Sequence, residues 1–330
     1  MSTAAATVAA TVATAVDPRA FDEWRLDGNQ GEAVLRMEDG IRLHLRVAHP
    51  ASPPRGVLVL VHGAGMHSGY YQPVGRMLAS RGYLVLMPDL RGHGQSEGTR
   101  GDIPRPDVYC RDIATILRRL QALGLPLVLA AHSGAAAMSV RVLGGDDAPD
   151  VAGFAMLAPT FADDGALVRR TSGGRDFGTY FRYMLRPAPE PAVAATGPGN
   201  TMQFRLGRFV LSRMTGLFGG TPVLTYKPAH KGEEDYVYTA RGVRGSMIGQ
   251  ADRWLARLRC PVFLATGGRD HFVNSDAVRT LLPWLIAPQA PLTGMHEPRG
   301  DHFSTLLLSV PAMLRWLEPL VWPVAAEQAA

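Results

Sequence analysis

Cysteine is scarce in this chain: Cys110 and Cys260 are the only two in 330 residues, far apart and each beside apolar neighbours. Two such residues supply neither a disulfide framework nor a cysteine-based metal site, and they suit a reducing compartment. No His-Glu-x-x-His or comparable ligand cluster occurs, so no metal and no cofactor are expected. Runs of one charge sign are missing as well. The formal net charge is +5, but the arginines are spread along the chain without aromatic interleaving, the pattern of a solvated surface and not of a nucleic-acid partner. Residues Met1 to Val16 are almost all Ala, Thr and Val, without the basic start or leucine-rich stretch of a secretory signal, and no other run stays uncharged for the length of a membrane helix. The expectation is a soluble cytoplasmic protein with a flexible N-terminus over residues 1–25, no integral membrane association and at most transient contact with a lipid surface. Internal repeats are absent too. What remains is 46% hydrophobic and 19% charged residues, enough to bury a large core in one domain carrying an insertion.

The stretch on which the reading turns is Leu127 to Val140, a buried strand bending sharply at Ser133 into an alanine-rich helix. A serine at such a turn needs small residues two positions before and after it, because strand and helix backbones pass within contact distance there. Ala131 and Ala135 meet that need. Ala131-His132-Ser133-Gly134-Ala135 therefore reads as a nucleophile elbow, lifting the Ser133 hydroxyl into solvent and leaving the Gly134 N–H free to bind an oxyanion. An ordinary Ser-Gly turn after a buried strand would carry the same letters. His132 is excluded from the chemistry because its side chain should point away from the hydroxyl.

Upstream, alternation on both sides of Asp39-Gly40 marks a hairpin between Glu32 and Val47, and Gly56 to Val61 is apolar on both faces, as a central strand of a covered parallel sheet is. The loop His62-Gly63-Ala64-Gly65-Met66-His67 follows that strand; its glycines let backbone approach a ligand, and the Ala64 N–H is the second oxyanion donor chosen here. His62 and His67 are read as holding the loop in shape. A helix near Gln72 to Ser80, a strand from Tyr83 to Met87, a loop in which Asp89, His93 and Ser96 hold the turn, and a helix from Asp107 to Leu123 lead to the elbow strand. Such alternation predicts right-handed crossovers and an α/β fold on a mostly parallel sheet.

His62-Gly63-Ala64-Gly65 with His67-Ser68-Gly69, Asp89 with Gly92-His93-Gly94-Gln95-Ser96-Glu97-Gly98, the elbow at Ser133 and a later Gly267-Gly268-Arg269-Asp270 run in order along the chain. In these motifs the sequence resembles the α/β-hydrolases of the monoacylglycerol lipase and lysophospholipase group, also called serine aminopeptidase (S33)-like hydrolases. The group's Gly-His-Ser-Met-Gly-Gly reads Ala-His-Ser-Gly-Ala-Ala here. The resemblance implies an α/β-hydrolase core over residues 26–159 and 251–322, with a cap, or lid, over 160–250. In that segment prolines, glycines and arginines interrupt scattered aromatic residues such as Phe177, Tyr180, Phe181, Phe204 and Phe209.

An apolar strand from Cys260 to Thr266 precedes Asp270, whose Gly-x-x-Asp-x-x-Val setting matches the group's acid; Asp163 and Asp164, after the preceding strand, are the competing acids, and capping of a helix near Ser275 is the structural alternative. The base follows the last strand, expected near Ala290 to Thr293. His302 is chosen over His296 because it precedes a helical pattern, Ser304 to Leu317, as the group's base does. The order Ser133, Asp270, His302 is that of the fold. The expected activity is hydrolysis of a carboxylic ester, such as an acylglycerol, a lysophospholipid or another small hydrophobic ester, through an acyl-enzyme. The same groups would serve an acyltransferase, a thioesterase, a cyclase or a peptidase. A non-catalytic binding scaffold would usually lack one of the three.

Overall fold

Strands that are apolar on both faces must be covered on both faces, and the computed structural model, which describes residues 24–25, 31–161, 201–227, 234–247, 249–270 and 272–321, shows how this is done. The main sheet has the order β1 (Trp24–Arg25), β2 (Glu32–Arg36), β3 (Arg42–Ala48), β5 (Tyr83–Pro88), β4 (Gly56–Val61), β6 (Leu127–His132), β7 (Gly153–Leu157), β11 (Val262–Gly267) and β12 (Leu292–Glu297). The hairpin β2–β3 joins β5 antiparallel, and every pairing from β5 to β12 is parallel. Strand β1 pairs Trp24 with Leu35 and Arg25 with Val34, so the sheet starts two residues before the expected core boundary.

The first three helices are α1 (Gln72–Ala79), α2 (Val108–Gln121) and α3 (Gly134–Leu143). Side-chain alternation in the strands divides the core in two. Val57, Val59 and Val61 of β4 join Leu127, Leu129 and Ala131 of β6 on one face, which α2 and α3 cover. Leu58, Leu60, Val128 and Ala130 face the other way, against α1 and the C-terminal helix. In α2 the buried residues Tyr109, Ile113, Ile116, Leu117 and Leu120 recur at helical spacing. Each fully covered Leu or Ile contributes about 1.5–3 kcal/mol of transfer free energy.

Between β7 and β11 the described residues form a second, antiparallel sheet of β8 (Thr201–Phe204), β9 (Pro222–Lys227) and β10 (Tyr236–Thr239), in the order β10-β9-β8. Helix α4 (Leu206–Thr215) links β8 to β9, α5 (Ala240–Ser246) follows β10, and the short α6 (Ala251–Leu255) leads back towards β11. This insertion meets the main body where Gly101 and Gly242 pass each other: a Cβ on Gly101 would overlap the Val237 carbonyl, and one on Gly242 would overlap the Gly101 carbonyl. Arg241 pairs with Asp102 at the same seam.

The chain closes with α7 (Ser275–Leu285), β12, α8 (Ser304–Leu308) and α9 (Val310–Val321), and the last three differ from the sequence-based expectation. Strand β12 spans Leu292–Glu297 and contains His296; as an edge strand with half-exposed side chains it lacks the apolar pattern that marks a covered strand. The helix expected from Ser304 to Leu317 is the pair α8 and α9. Pro311 has no N–H for a continuous helical ladder and stands in the first turn of α9, where that loss costs least, so the break falls just before it.

Candidate active site

The register of the parallel strands brings three loops to one edge. Val61 pairs with Ala131, His132 with Leu157, and Ala265 with Leu157, so the turns after β4, β6 and β11 emerge side by side. Ser133 leaves β6 at φ 56° and ψ −129°, a backbone conformation costly for a non-glycine residue. Its N–H donates to Leu157 O (3.0 Å) and its carbonyl accepts from Ala136 N (3.1 Å), which hold the turn. Ala131 and Ala135 on either side are fully buried.

His302 stands just before α8. Its Nδ1–H donates to Asp270 Oδ2 at 2.8 Å, and its Nε2 lies 2.9 Å from Ser133 Oγ as acceptor of the hydroxyl. The other carboxylate oxygen, Asp270 Oδ1, accepts from the N–H groups of Phe272 and Val273, both at 2.9 Å, so the carboxylate is fixed from two sides. The cap of the next helix, α7, is Asn274, whose side chain accepts from Ala277 N. His296 lies apart in β12 with Nδ1 3.0 Å from Thr266 Oγ1. Asp163 and Asp164 lie outside the described residues, as do Phe177, Tyr180 and Phe181.

The loop after β4 lies against the elbow. A Cβ on Gly63 would stand 3.0 Å from His132 Nδ1 and 3.1 Å from Ser133 Cβ, so a side chain there would press the loop and the elbow apart by a few tenths of an ångström. The Gly63 N–H donates to Tyr71 Oη and the Gly65 N–H to Tyr238 Oη, each at 2.8 Å. Among the described hydrogen bonds, no protein acceptor takes the N–H of Ala64 or of Gly134. His62 donates from Nδ1 to Gly63 O (2.8 Å) and accepts at Nε2 from Leu90 N (2.9 Å), joining two loops. Burial lowers its pKa, keeping the ring neutral. His67 accepts from Gly69 N.

Asp89 gathers the next loop, accepting from Ser68 N and Gln95 N and facing His44 Nδ1 at 3.1 Å, while Ser96 Oγ donates to its carbonyl. Burial raises the Asp89 carboxyl, but His44, His62 and the two N–H groups outweigh it and hold the pKa well below the usual carboxylate range. His132, fully buried, accepts from the Tyr71 hydroxyl at Nδ1 (2.7 Å) and donates from Nε2 to the His302 carbonyl (3.0 Å). Its pKa is lowered by burial and then by the neighbouring His302.

Above these loops the insertion contributes an apolar cluster of Phe204, Phe209, Leu224, Tyr236 and Tyr238, against which Ala64, Tyr226 and Phe272 pack. The Phe272 ring lies 4.9 Å from that of His302. Sequence reasoning did not single out Tyr71 or Tyr238 as site residues. Tyr71 stands near the first motif, a usable signal; Tyr238 bonds a residue 173 positions away and carries none. Among the described residues no group of three or more His, Cys, Asp or Glu is placed to hold a metal ion, and no helix is long and apolar enough to cross a membrane.

Sheet order, crossovers and elbow together define an α/β-hydrolase fold. Est1E from Butyrivibrio proteoclasticus, solved with bound ferulic acid, superposes with a TM-score of 0.59 at 15% identity, covering 87% of this chain and 98% of that one. A monoacylglycerol lipase from Paleococcus ferrophilus gives a TM-score of 0.52 at 20% identity, covering 84% and 98%. In sequence, residues 52–178 match the family model "Serine aminopeptidase, S33", and the chain resembles the monoacylglycerol lipase group. Human monoglyceride lipase is 34% identical over 123 residues, which are 37% of this chain and 40% of that protein. The chain thus spans less than half the length of this curated relative.

Proposed function

We propose that the protein is a carboxylic ester hydrolase in which Ser133 is the nucleophile, His302 the base and Asp270 the residue that orients and charge-stabilises the imidazole. The observation that carries this reading is the unbroken line of hydrogen bonds from Asp270 Oδ2 through His302 to Ser133 Oγ, 2.8 and 2.9 Å. His302 Nε2 takes the hydroxyl proton as Oγ attacks the ester carbonyl, while Nδ1–H stays on Asp270. The N–H groups of Ala64 and Gly134 receive the oxyanion, and His302 returns its proton to the leaving alcohol. Water, deprotonated by the same imidazole, then releases the acid from the acyl-enzyme. No metal or cofactor has a step in this scheme.

The substrate is read as a small hydrophobic ester, an acylglycerol or lysophospholipid among them. Support comes from the apolar cluster beside Ala64 and Phe272 and from the similarity to monoglyceride lipases. Residues 160–250 are assigned as the cap, residues 26–159 and 251–322 as the core, and the protein as cytoplasmic. Transfer of the acyl group to an alcohol or amine would use the same groups and is separated by product analysis.

The test is a fluorophosphonate probe followed by a series of p-nitrophenyl esters and monoacylglycerols of graded chain length. Ser133 should be the residue labelled, and Ser133→Ala should lose labelling and on the order of 10³-fold or more in ester turnover. Full labelling of the alanine variant would overturn the assignment.

A further inference from the structure

Two phenols flank the Ala64 peptide. On one side Gly63 N–H is held by Tyr71, whose hydroxyl proton goes to His132 Nδ1. On the other side Gly65 N–H donates to Tyr238 Oη (2.8 Å), and Tyr238 Oη lies 2.6 Å from His93 Nε2. His93 Nδ1–H is engaged by Arg91 O at 3.0 Å, so Nε2 has a lone pair to offer and the phenol proton must point at it. With its proton fixed there, Tyr238 Oη presents lone pairs to Gly65 N–H. Burial supports this polarity: it pushes the phenol's pKa well up, and it pushes His93 down to about 3, so donor and acceptor keep their roles near neutral pH.

Tyr71 belongs to the segment beside the loop it holds. Tyr238 does not: it comes from β10 of the insertion, far along the chain. Gly65 has φ 71°, a conformation suited to glycine, and a Cβ there would stand 2.9 Å from the Tyr226 ring of the adjacent strand β9. The insertion therefore touches the loop twice, once by packing and once by a hydrogen bond that fixes the direction of the peptide next to Ala64.

We propose that Tyr238 is a positioning residue for the Ala64 N–H: by accepting from Gly65 and donating to His93, it sets the orientation of an oxyanion donor from outside the α/β core. This rests on the reading of Ser133 as nucleophile and Ala64 as oxyanion donor. The insertion, on this account, completes the catalytic geometry as well as covering it.

Tyr238→Phe removes the hydroxyl and keeps the ring in the apolar cluster. With p-nitrophenyl acetate, too small to depend on the cover, kcat/KM should fall about 10- to 100-fold with the loss carried by kcat, the size expected when a reacting geometry is displaced by up to an ångström. Thr239→Val is the control, because its hydroxyl ties the same strand to Asp102 Oδ1 and Gly242 N without touching the Ala64 loop. It should lower the melting temperature while leaving kcat near wild type. Equal kcat losses in the two variants, or an unchanged kcat in Tyr238→Phe, would overturn the proposal.

If Tyr238→Phe does not unfold cooperatively, His93→Gln and His93→Leu are compared instead: the amide oxygen can accept the phenol proton and should retain most of kcat, and leucine should not. Equal turnover in these two also overturns it. Fluorophosphonate labelling of the wild-type protein keeps the two readings apart. Without labelling of Ser133 the underlying assignment fails; with labelling, and with full turnover in Tyr238→Phe, only the positioning role fails.

Discussion

His132 Nε2–H donates to the backbone carbonyl of His302 at 3.0 Å. The residue beside Ser133 thus holds the chain that carries its hydrogen-bonding partner, across 170 positions of sequence. Replacing His132 by leucine leaves Ser133 and His302 in place but strips acceptors and donors from two buried groups, the Tyr71 hydroxyl and the His302 carbonyl. Each unsatisfied group costs about 1–3 kcal/mol. His132→Leu should therefore lower the denaturation midpoint clearly and reduce kcat on a small ester by about 10-fold or more; stability loss with undiminished turnover would show that the bond serves folding alone.

The assignment of the base is tested by substitution. Nε2 of the base must accept the serine proton, so loss of that imidazole removes turnover. His302→Ala should abolish ester turnover, whereas His296→Ala, whose ring bonds Thr266, should keep it. The reverse pattern would transfer the role to His296.

Gly63→Ala probes the close approach of loop and elbow. The new methyl group would press on His132 Nδ1 and Ser133 Cβ at 3.0 and 3.1 Å, tighter than ordinary carbon contacts. The neighbours must give by a few tenths of an ångström, and kcat should drop about 10-fold or more while the global fold persists. Steady-state kinetics with circular dichroism would decide it; unchanged kcat would mean the loop yields freely.

Buried neutral histidines make the protein sensitive to acid. Burial lowers the pKa values of His62, His93 and His132 from the ordinary 6.5, that of His93 to about 3. Below about pH 6.5 the unfolded chain takes up protons that these rings refuse, so stability is full above that value and declines as the pH falls. The slope is at most about 1.4 kcal/mol per pH unit for each ring. Asp89, depressed from 3.8, adds its loss only at lower pH; His49, also lowered by burial, acts in the same direction as the three rings, and Asp112, raised by burial, opposes them as the pH falls. Urea midpoints measured at pH 7, 6 and 5 should fall steadily; a flat series would contradict the buried neutral state.

Sequence revealed the parts of this molecule whose physics is local. Gly56–Val61 and Leu127–His132 are apolar at nearly every position because both faces are covered, and the small residues around Ser133 announce the close turn. The hydrogen-bonded line from Ser133 through His302 to Asp270 joins the residues selected from motif order, although nothing local in the chain encodes their distances. Strand β12 was harder to delimit because an edge strand with half-exposed residues carries no strict alternation. The helix after His302 broke where proline removed a donor, a signal present in the letters but masked by the apolar periodicity around it. Tyr238 was hidden for a different reason: its partners, Gly65 and His93, meet it only through the tertiary arrangement of the insertion.

The meeting of Gly101 with Gly242 has a mechanical meaning. A swinging door needs a compliant joint, usually side chains that slide or repack, but at this seam main chain lies on main chain with no room for a methyl group. The Tyr236 hydroxyl and the Asp102–Arg241 pair clasp the same spot. The β10–α5 corner therefore behaves as masonry, a fixed wall beside the Ala64 loop. Under the ester-hydrolase proposal, selectivity is altered by reshaping its stones, the aromatic side chains of β9 and β10, and not by loosening a hinge.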